Sequence, residues 1–216
     1  ILSTGLRVGK PCRYAIVGLG KLGGREINYH SDLDLIILYE GEGKPYLPNN
    51  QTHDEQQPDN NSFFVDLTQR IIKTLSNHGP LGRLYELDLR LRPTGRSGSL
   101  VIPIGEFQKY YSDSDSVQLW ERLMLSRARV VHGDSSFAND VLAVVTNAVC
   151  MVPWQSTFID EVKTMRDRLE ASRNPGDLKR GSGGMADVEF LIELLQIRFG
   201  ASHPSIRQPN VWSALE

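Results

Sequence analysis

A mixed α/β (α+β) core over about residues 1–134, followed by a run of helices, is the fold this sequence predicts. Three observations predict it. Two apolar runs near the start, residues 14–17 and 33–39, are separated only by a glycine-rich turn and a short helical stretch. Residues 86–92 alternate between charged side chains and leucine, the period of a strand. Beyond Gly133-Asp134 the apolar spacing becomes that of helices, and no strand pattern returns.

Taken in order, residues 14–18 read as a strand, 22–29 as a short helix and 33–39 as a second strand. Residues 41–61 are polar, with three prolines and several Asn, Gln and Asp, and are expected to form a long disordered loop. Ser62 is placed to cap a helix running to residue 77, with Phe64, Leu67, Ile71 and Leu75 on one face. Gly79-Pro80 ends it. Strands are expected over 83–92 and 99–103, then helices over 105–111 and 117–131. In the second of these helices Trp120, Leu123, Met124 and Arg127 recur at helical spacing, and Glu121 and Arg122 are expected on a solvated face. The helical part, 135–216, opens with residues 137–151, stopped by Pro153. Another helix covers 158–173, with Phe158, Val162, Met165 and Leu169 in line. A basic, glycine-rich turn at 178–184 then leads into a helix over 185–200. Such a turn suits an anion, although a plain helix-to-helix connection explains it as well.

The segment carrying the most chemistry is Gly20-Lys21-Leu22-Gly23-Gly24-Arg25-Glu26, followed by Ser31-Asp32-Leu33-Asp34 at the head of the second strand. Side chains two apart on a strand project to one face, so Asp32 and Asp34 stand together. Paired carboxylates repel unless a cation lies between them, and Mg2+ takes such oxygen ligands while sharing a substrate phosphate. The glycines permit close backbone approach to an anion. Two other readings fit these residues. The aspartates can be ordinary strand-end residues. Alternatively, Gly18-Leu19-Gly20-Lys21-Leu22-Gly23 matches G-x-G-x-x-G, with Glu40 about twenty residues on, as a Rossmann dinucleotide site asks. Against the Rossmann reading, only about two turns of helix fit before the next strand, and a parallel crossover usually needs about a dozen residues.

Residues 86–92 add a third carboxylate. Glu86, Asp88, Arg90 and Arg92 fall on one strand face and Leu87, Leu89 and Leu91 on the other. A salt-bridged, solvated face would read the same way. Yet a carboxylate flanked by two arginines is also what a metal–phosphate site requires, because arginine holds phosphate oxygens bidentately. A polar turn, Pro93-Thr94-Gly95-Arg96-Ser97-Gly98, follows.

Four stretches in order carry a family resemblance: GLGKLGGREINYHSDLDLIILYE, YELDLRLRPTGRSGSLV, WERLMLSRARVVHGD and DLKRGSGGMADVEFLIELLQIRFG. The chain resembles the bifunctional glutamine synthetase adenylyltransferase/deadenylylase family, from about residue 14 to 200. The resemblance implies a DNA polymerase β-type nucleotidyltransferase core with a helical region attached. It also implies that the chain is one module of a longer, two-module enzyme, more like the C-terminal, adenylylating copy. The implied reaction is transfer of AMP from ATP to a tyrosine of glutamine synthetase, or its removal by phosphorolysis. Carried over residue by residue, Asp32, Asp34 and Asp88 are implied to bind two Mg2+ or Mn2+ ions. Gly23 and Gly24 would offer backbone N–H groups to phosphate, joined by Lys21, Ser31, Arg90 and Arg92. Ser31 and Glu26 are expected to shape the turn, and Arg127 and Arg129 to reach towards a phosphate. Glutamine synthetase and a PII signal protein are the implied partners. A Rossmann-type oxidoreductase and a non-catalytic nucleotide-binding regulatory module are the alternatives from other classes.

Bulk properties agree. A hydrophobic content of 40% supports a real core, and a net charge of −2 argues against general nucleic-acid binding. No apolar run is long enough to span a membrane. Two distant cysteines, Cys12 and Cys150, fit a reduced cytoplasmic setting. The five histidines show no zinc spacing.

Overall fold

A computed structural model describes residues 6–7, 10–29, 31–44, 58–77, 80, 82, 85–113 and 116–216. It is a mixed α/β structure, as expected. Strands β1 (Leu6–Arg7) and β2 (Lys10–Pro11) form a small antiparallel pair. The main sheet is built on β3 (Tyr14–Gly18) and β4 (Leu33–Tyr39), which run antiparallel with Ile16 opposite Ile37. That direction excludes the Rossmann reading, which needs two parallel strands joined by a crossover helix. Two short strands, β5 (Leu87–Asp88) and β6 (Ile102–Pro103), each pair parallel with β4. On the other side of β3 lies β7 (Arg129–Gly133), antiparallel, with a register shift between Ile16 and Val17.

Alternation along β3 and β4 sorts the side chains onto two faces. Tyr14, Ile16, Ile37 and Tyr39 pack with Phe64 of α2 (Asn60–Ser76). Ala15, Val17, Ile36 and Leu38 join a larger core built with α3 (Ile104–Ser112), α4 (Leu119–Ser126) and α5 (Ser135–Cys150). That cluster continues to Phe158 of α6 (Thr157–Ala171) and Ile197 of α7 (Met185–Phe199), so one apolar core crosses residue 134. A short helix, α8 (Val211–Leu215), ends the chain.

Several expected bounds change for physical reasons. The glycine turn makes only one helical turn, α1 (Gly20–Gly23), instead of a helix over 22–29. It closes as a Schellman motif: Arg25 takes a left-handed φ of 60°, Glu26 N–H donates to Lys21 O at 2.8 Å and Arg25 N–H to Leu22 O at 3.3 Å. Helix α2 is capped by Asp59, whose carboxylate accepts the Ser62 N–H at 2.7 Å, so Ser62 is not itself the cap. Most of the loop expected over 41–61 lies outside the described residues. The helix expected over 117–131 stops at Ser126 and gives way to β7. Glu121 and Arg122, expected in solvent, are buried. Glu121 accepts from the Tyr110 hydroxyl at 2.8 Å and from the Gln118 N–H, while Arg122 donates to the carbonyls of Ala148 and Tyr111.

Candidate active site

The register of β4 against β5 sets Asp34 directly beside Asp88. Asp32 stands one pleat before Asp34. Asp34 shares its sheet face with Ile36 and Leu38, the face covered by helices, so its carboxylate looks towards α4 and α7 rather than into open solvent. Burial, then the neighbouring Asp88 and Asp32 carboxylates, push the Asp34 carboxyl up to about 6, while Lys179 and Arg90 pull it down. Gly20 is forced to be glycine here: its φ is +49°, and a Cβ would lie 2.8 Å from Asp34 Oδ2.

A cavity of about 330 Å³ opens over Asp32 and Asp34. One wall is Gly20, Lys21, Ser31, Asp32 and Asp34; the other comes from Met124, Arg127, Lys179, Glu189 and Glu193. The sequence-predicted residues Lys21, Ser31, Asp32 and Asp34 are therefore brought together. Ser31 also ties its turn, donating to Asn28 Oδ1 at 2.9 Å and accepting the Asn28 N–H at 3.0 Å.

Four other expectations are corrected. The Gly23 N–H donates to Leu19 O at 2.9 Å and the Gly24 N–H to Gly20 O at 3.0 Å, so neither points at a phosphate. These glycines permit packing: a Cβ on Gly23 would overlap the Arg127 carbonyl oxygen, and one on Gly24 would lie 2.5 Å from the Arg127 guanidinium. Arg90 turns back on Asp88, donating Nε–H to both carboxylate oxygens at 2.9 and 2.8 Å and its backbone N–H to Oδ1. It neutralises the third acid instead of presenting a free fork. Arg92 leaves the expected strand face because the chain turns before Pro93. Its buried guanidinium donates to the carbonyls of Leu89, Gly98 and Ser99, and so braces its own loop.

Arg127 and Arg129, expected near phosphate, are also structural. Arg127, only 7% exposed at its side chain, pairs with Glu26 and with Glu189 at 3.0 Å, and donates to Pro209 O. Glu26 further accepts from Asn210 Nδ2 and the Val211 N–H. Arg129 donates to the carbonyls of Gly23 and Leu22. The glycine turn is thus tied to α7 and to the start of α8 by charged side chains. The basic turn at 178–184 is held by Asp177, which accepts the Lys179 and Arg180 N–H groups, and places Lys179 at the cavity.

Glu189, Glu193 and Met124 are not expected at the site from sequence; Met124 reads only as part of the helical spacing. For Glu193 a signal existed: it is a lone acid between Ile192 and Leu194 on a helix that is otherwise apolar there.

The donor chemistry fits a hard divalent cation. All candidate ligands are carboxylate oxygens, and Asp34 is half-buried against like charge that a cation would relieve. Among the described residues, no three His, Cys, Asp or Glu side chains already form a metal-holding group. A cation shared by all three aspartates therefore competes with Arg90 for Asp88. No helix of the described residues is long and apolar enough to cross a membrane.

Comparisons with known family models and with curated proteins agree on one family. A family model described as glutamate-ammonia ligase adenylyltransferase matches residues 3–144. The chain is also 34% identical over 205 residues to a bifunctional glutamine synthetase adenylyltransferase/adenylyl-removing enzyme of Shewanella loihica, covering 93% of this chain and 21% of that protein. It thus spans about a fifth of that relative's length.

Proposed function

Since the chain belongs to the glutamate-ammonia ligase adenylyltransferase family, we propose that it is a nucleotidyltransferase module that transfers AMP from ATP to a tyrosine of glutamine synthetase, or removes it by phosphorolysis with release of ADP. Addition of AMP and its phosphorolytic removal use the same site chemistry. The observation that carries this reading is Asp34 in register with Asp88, with Asp32 beside it and Lys21 at the same cavity.

In the addition, the tyrosine oxygen attacks the α-phosphorus of ATP, the bond to pyrophosphate breaks, and the hydroxyl proton passes to solvent as pyrophosphate leaves. A free tyrosine hydroxyl, with a pKa of about 10, is a poor nucleophile at neutral pH. Mg2+ or Mn2+ held by Asp32, Asp34 and Asp88 would favour the deprotonated oxygen and neutralise the triphosphate and leaving group. The chain's own residues do the rest. Lys21 sets a positive charge on the wall that carries Asp32 and Asp34, where negative charge collects as pyrophosphate departs. Arg90 holds the Asp88 carboxylate in place while no cation is bound. The Arg127 ties hold the glycine turn against α7, which fixes the width of the cleft. Glutamine synthetase is the partner this reading requires. A PII signal protein is the proposed regulator, and the cytoplasm the proposed compartment.

The test is to incubate the protein with glutamine synthetase, ATP labelled at the α-phosphate, and Mg2+. Label on a synthetase tyrosine, or loss of AMP from prelabelled synthetase in the presence of phosphate, is the expected result. Neither product from wild type, in the chain alone or in the full-length enzyme, refutes it.

A further inference from the structure

The wall of the cavity formed by α7 has no assigned task in nucleotidyl transfer. Glu189 is committed to Arg127. One turn further along, Glu193 lines the same cavity and is 8% exposed. It has no hydrogen-bond or ion-pair partner among the described residues. A buried carboxyl without a partner is costly, and such groups are satisfied by water or by a ligand.

We propose that Glu193 recognises the N1/N6 edge of the adenine base, and so selects the nucleotide used by this site. This rests on the nucleotidyltransferase reading above. Three features support it. Glu193 lines the cavity that the Asp32–Asp34 pair also lines, so phosphates held at those acids and a base held at Glu193 would share one enclosure. Met124, on the same lining, gives apolar surface for a flat ring. The charged groups around Glu193 are Arg127, Glu189 and Lys179; burial outweighs the two cations, and the carboxyl is pushed up to about 8. At neutral pH it is therefore a neutral acid with one O–H donor beside one C=O acceptor. Adenine presents the complement, an acceptor at N1 beside a donor at N6. Guanine presents a donor at N1 and an acceptor at O6, which this arrangement opposes in its adenine-reading orientation.

The experiment compares wild type, Glu193→Gln and Glu193→Leu by calorimetric titration with Mg-ATP, the 1-deaza analogue of ATP, and purine riboside triphosphate, which lacks the N6 amine. Wild type should bind ATP at least about tenfold more tightly than either analogue. Glu193→Gln should keep that preference, because an amide also offers a donor beside an acceptor. Glu193→Leu should bind all three alike. A merely structural role would weaken all three ligands together and leave the ratios unchanged. If wild type itself binds the three equally, the proposal fails whatever the variants do. If Glu193→Leu retains the wild-type ratio, it fails as well. Wild type that binds no nucleoside triphosphate overturns the nucleotidyltransferase reading and this inference with it.

Discussion

Replacing Arg127 by leucine should unfold the coupling between the glycine turn and the helices. The guanidinium is nearly buried and serves two carboxylates, Glu26 and Glu189, whose side chains are each 16% exposed. It also donates to Pro209 O. Leucine fills much of the volume but leaves both carboxylates without their cation. Removing one partner of a buried pair costs about 3–5 kcal/mol, because the other charge stays buried and unpaired. For a chain of this length about 1 kcal/mol moves the Tm by roughly 2–4 °C, so a loss of roughly 6–20 °C is expected. Arg127→Lys should fall between, since an ammonium cannot reach both acids with the arginine fork. Adding Glu26→Gln and Glu189→Gln to Arg127→Leu should restore part of the loss, because the stranded charges are then gone. Calorimetric melts of the four proteins at neutral pH decide it. A change below about 1 °C for Arg127→Leu would mean that the pairs are not what holds the turn to α7.

Other outcomes follow from the same contacts. Asp34→Asn should stabilise the metal-free protein at pH 8 and hardly at pH 4, while abolishing AMP transfer. The Asp34 carboxyl, pushed up to about 6 in the fold, binds its proton more tightly folded than unfolded. Its cost to stability therefore grows as pH rises from about 4 to about 6 and is complete above that; paired melts at the two pH values test the sign. Gly23→Ala should lower stability by ~3 kcal/mol or more in urea unfolding, since the new Cβ meets the backbone oxygens of Arg127 and, at 2.8 Å, Gly18. Arg92→Met should cost about 2 kcal/mol or more through three carbonyls left without their donor. It should leave Mg-ATP affinity within about twofold; a selective loss of ATP binding in a fully folded variant would return Arg92 to the phosphate site.

The parts of the fold legible in the sequence were those with a local signal. The apolar runs of β3 and β4 and the helical spacing of α5, α6 and α7 gave elements within a few residues of those observed. The acid pair stood out because two aspartates head a buried strand. Strand β7 was hidden: the helical pattern from Trp120 to Arg127 runs straight into Val130 and Val131, and only pairing with β3 makes them a strand. The roles of Gly23 and Gly24 were misread because a glycine tells of close approach without naming what approaches, here the Arg127 backbone at Gly23 and its guanidinium at Gly24. The alternation from Glu86 to Arg92 promised one charged face. The turn ahead of Pro93 breaks that face after Asp88, leaving Arg90 folded back and Arg92 buried. The second wall of the cavity depends on how α7 lies over the sheet, which no local pattern encodes.

If Asp32, Asp34 and Asp88 form one cation site for a nucleotide, Asp88 is the member to remove, because it lies farthest from the others in sequence. Thermal melts of wild type and Asp88→Ala, each with and without Mg-ATP, read the ligand's stabilisation of the native state by mass action. A shared site gives a clear upward shift for wild type and a much smaller one for Asp88→Ala, with the ligand-free mutant still folded. An equal Mg-ATP shift in both proteins would contradict it and remove the third acid from the site.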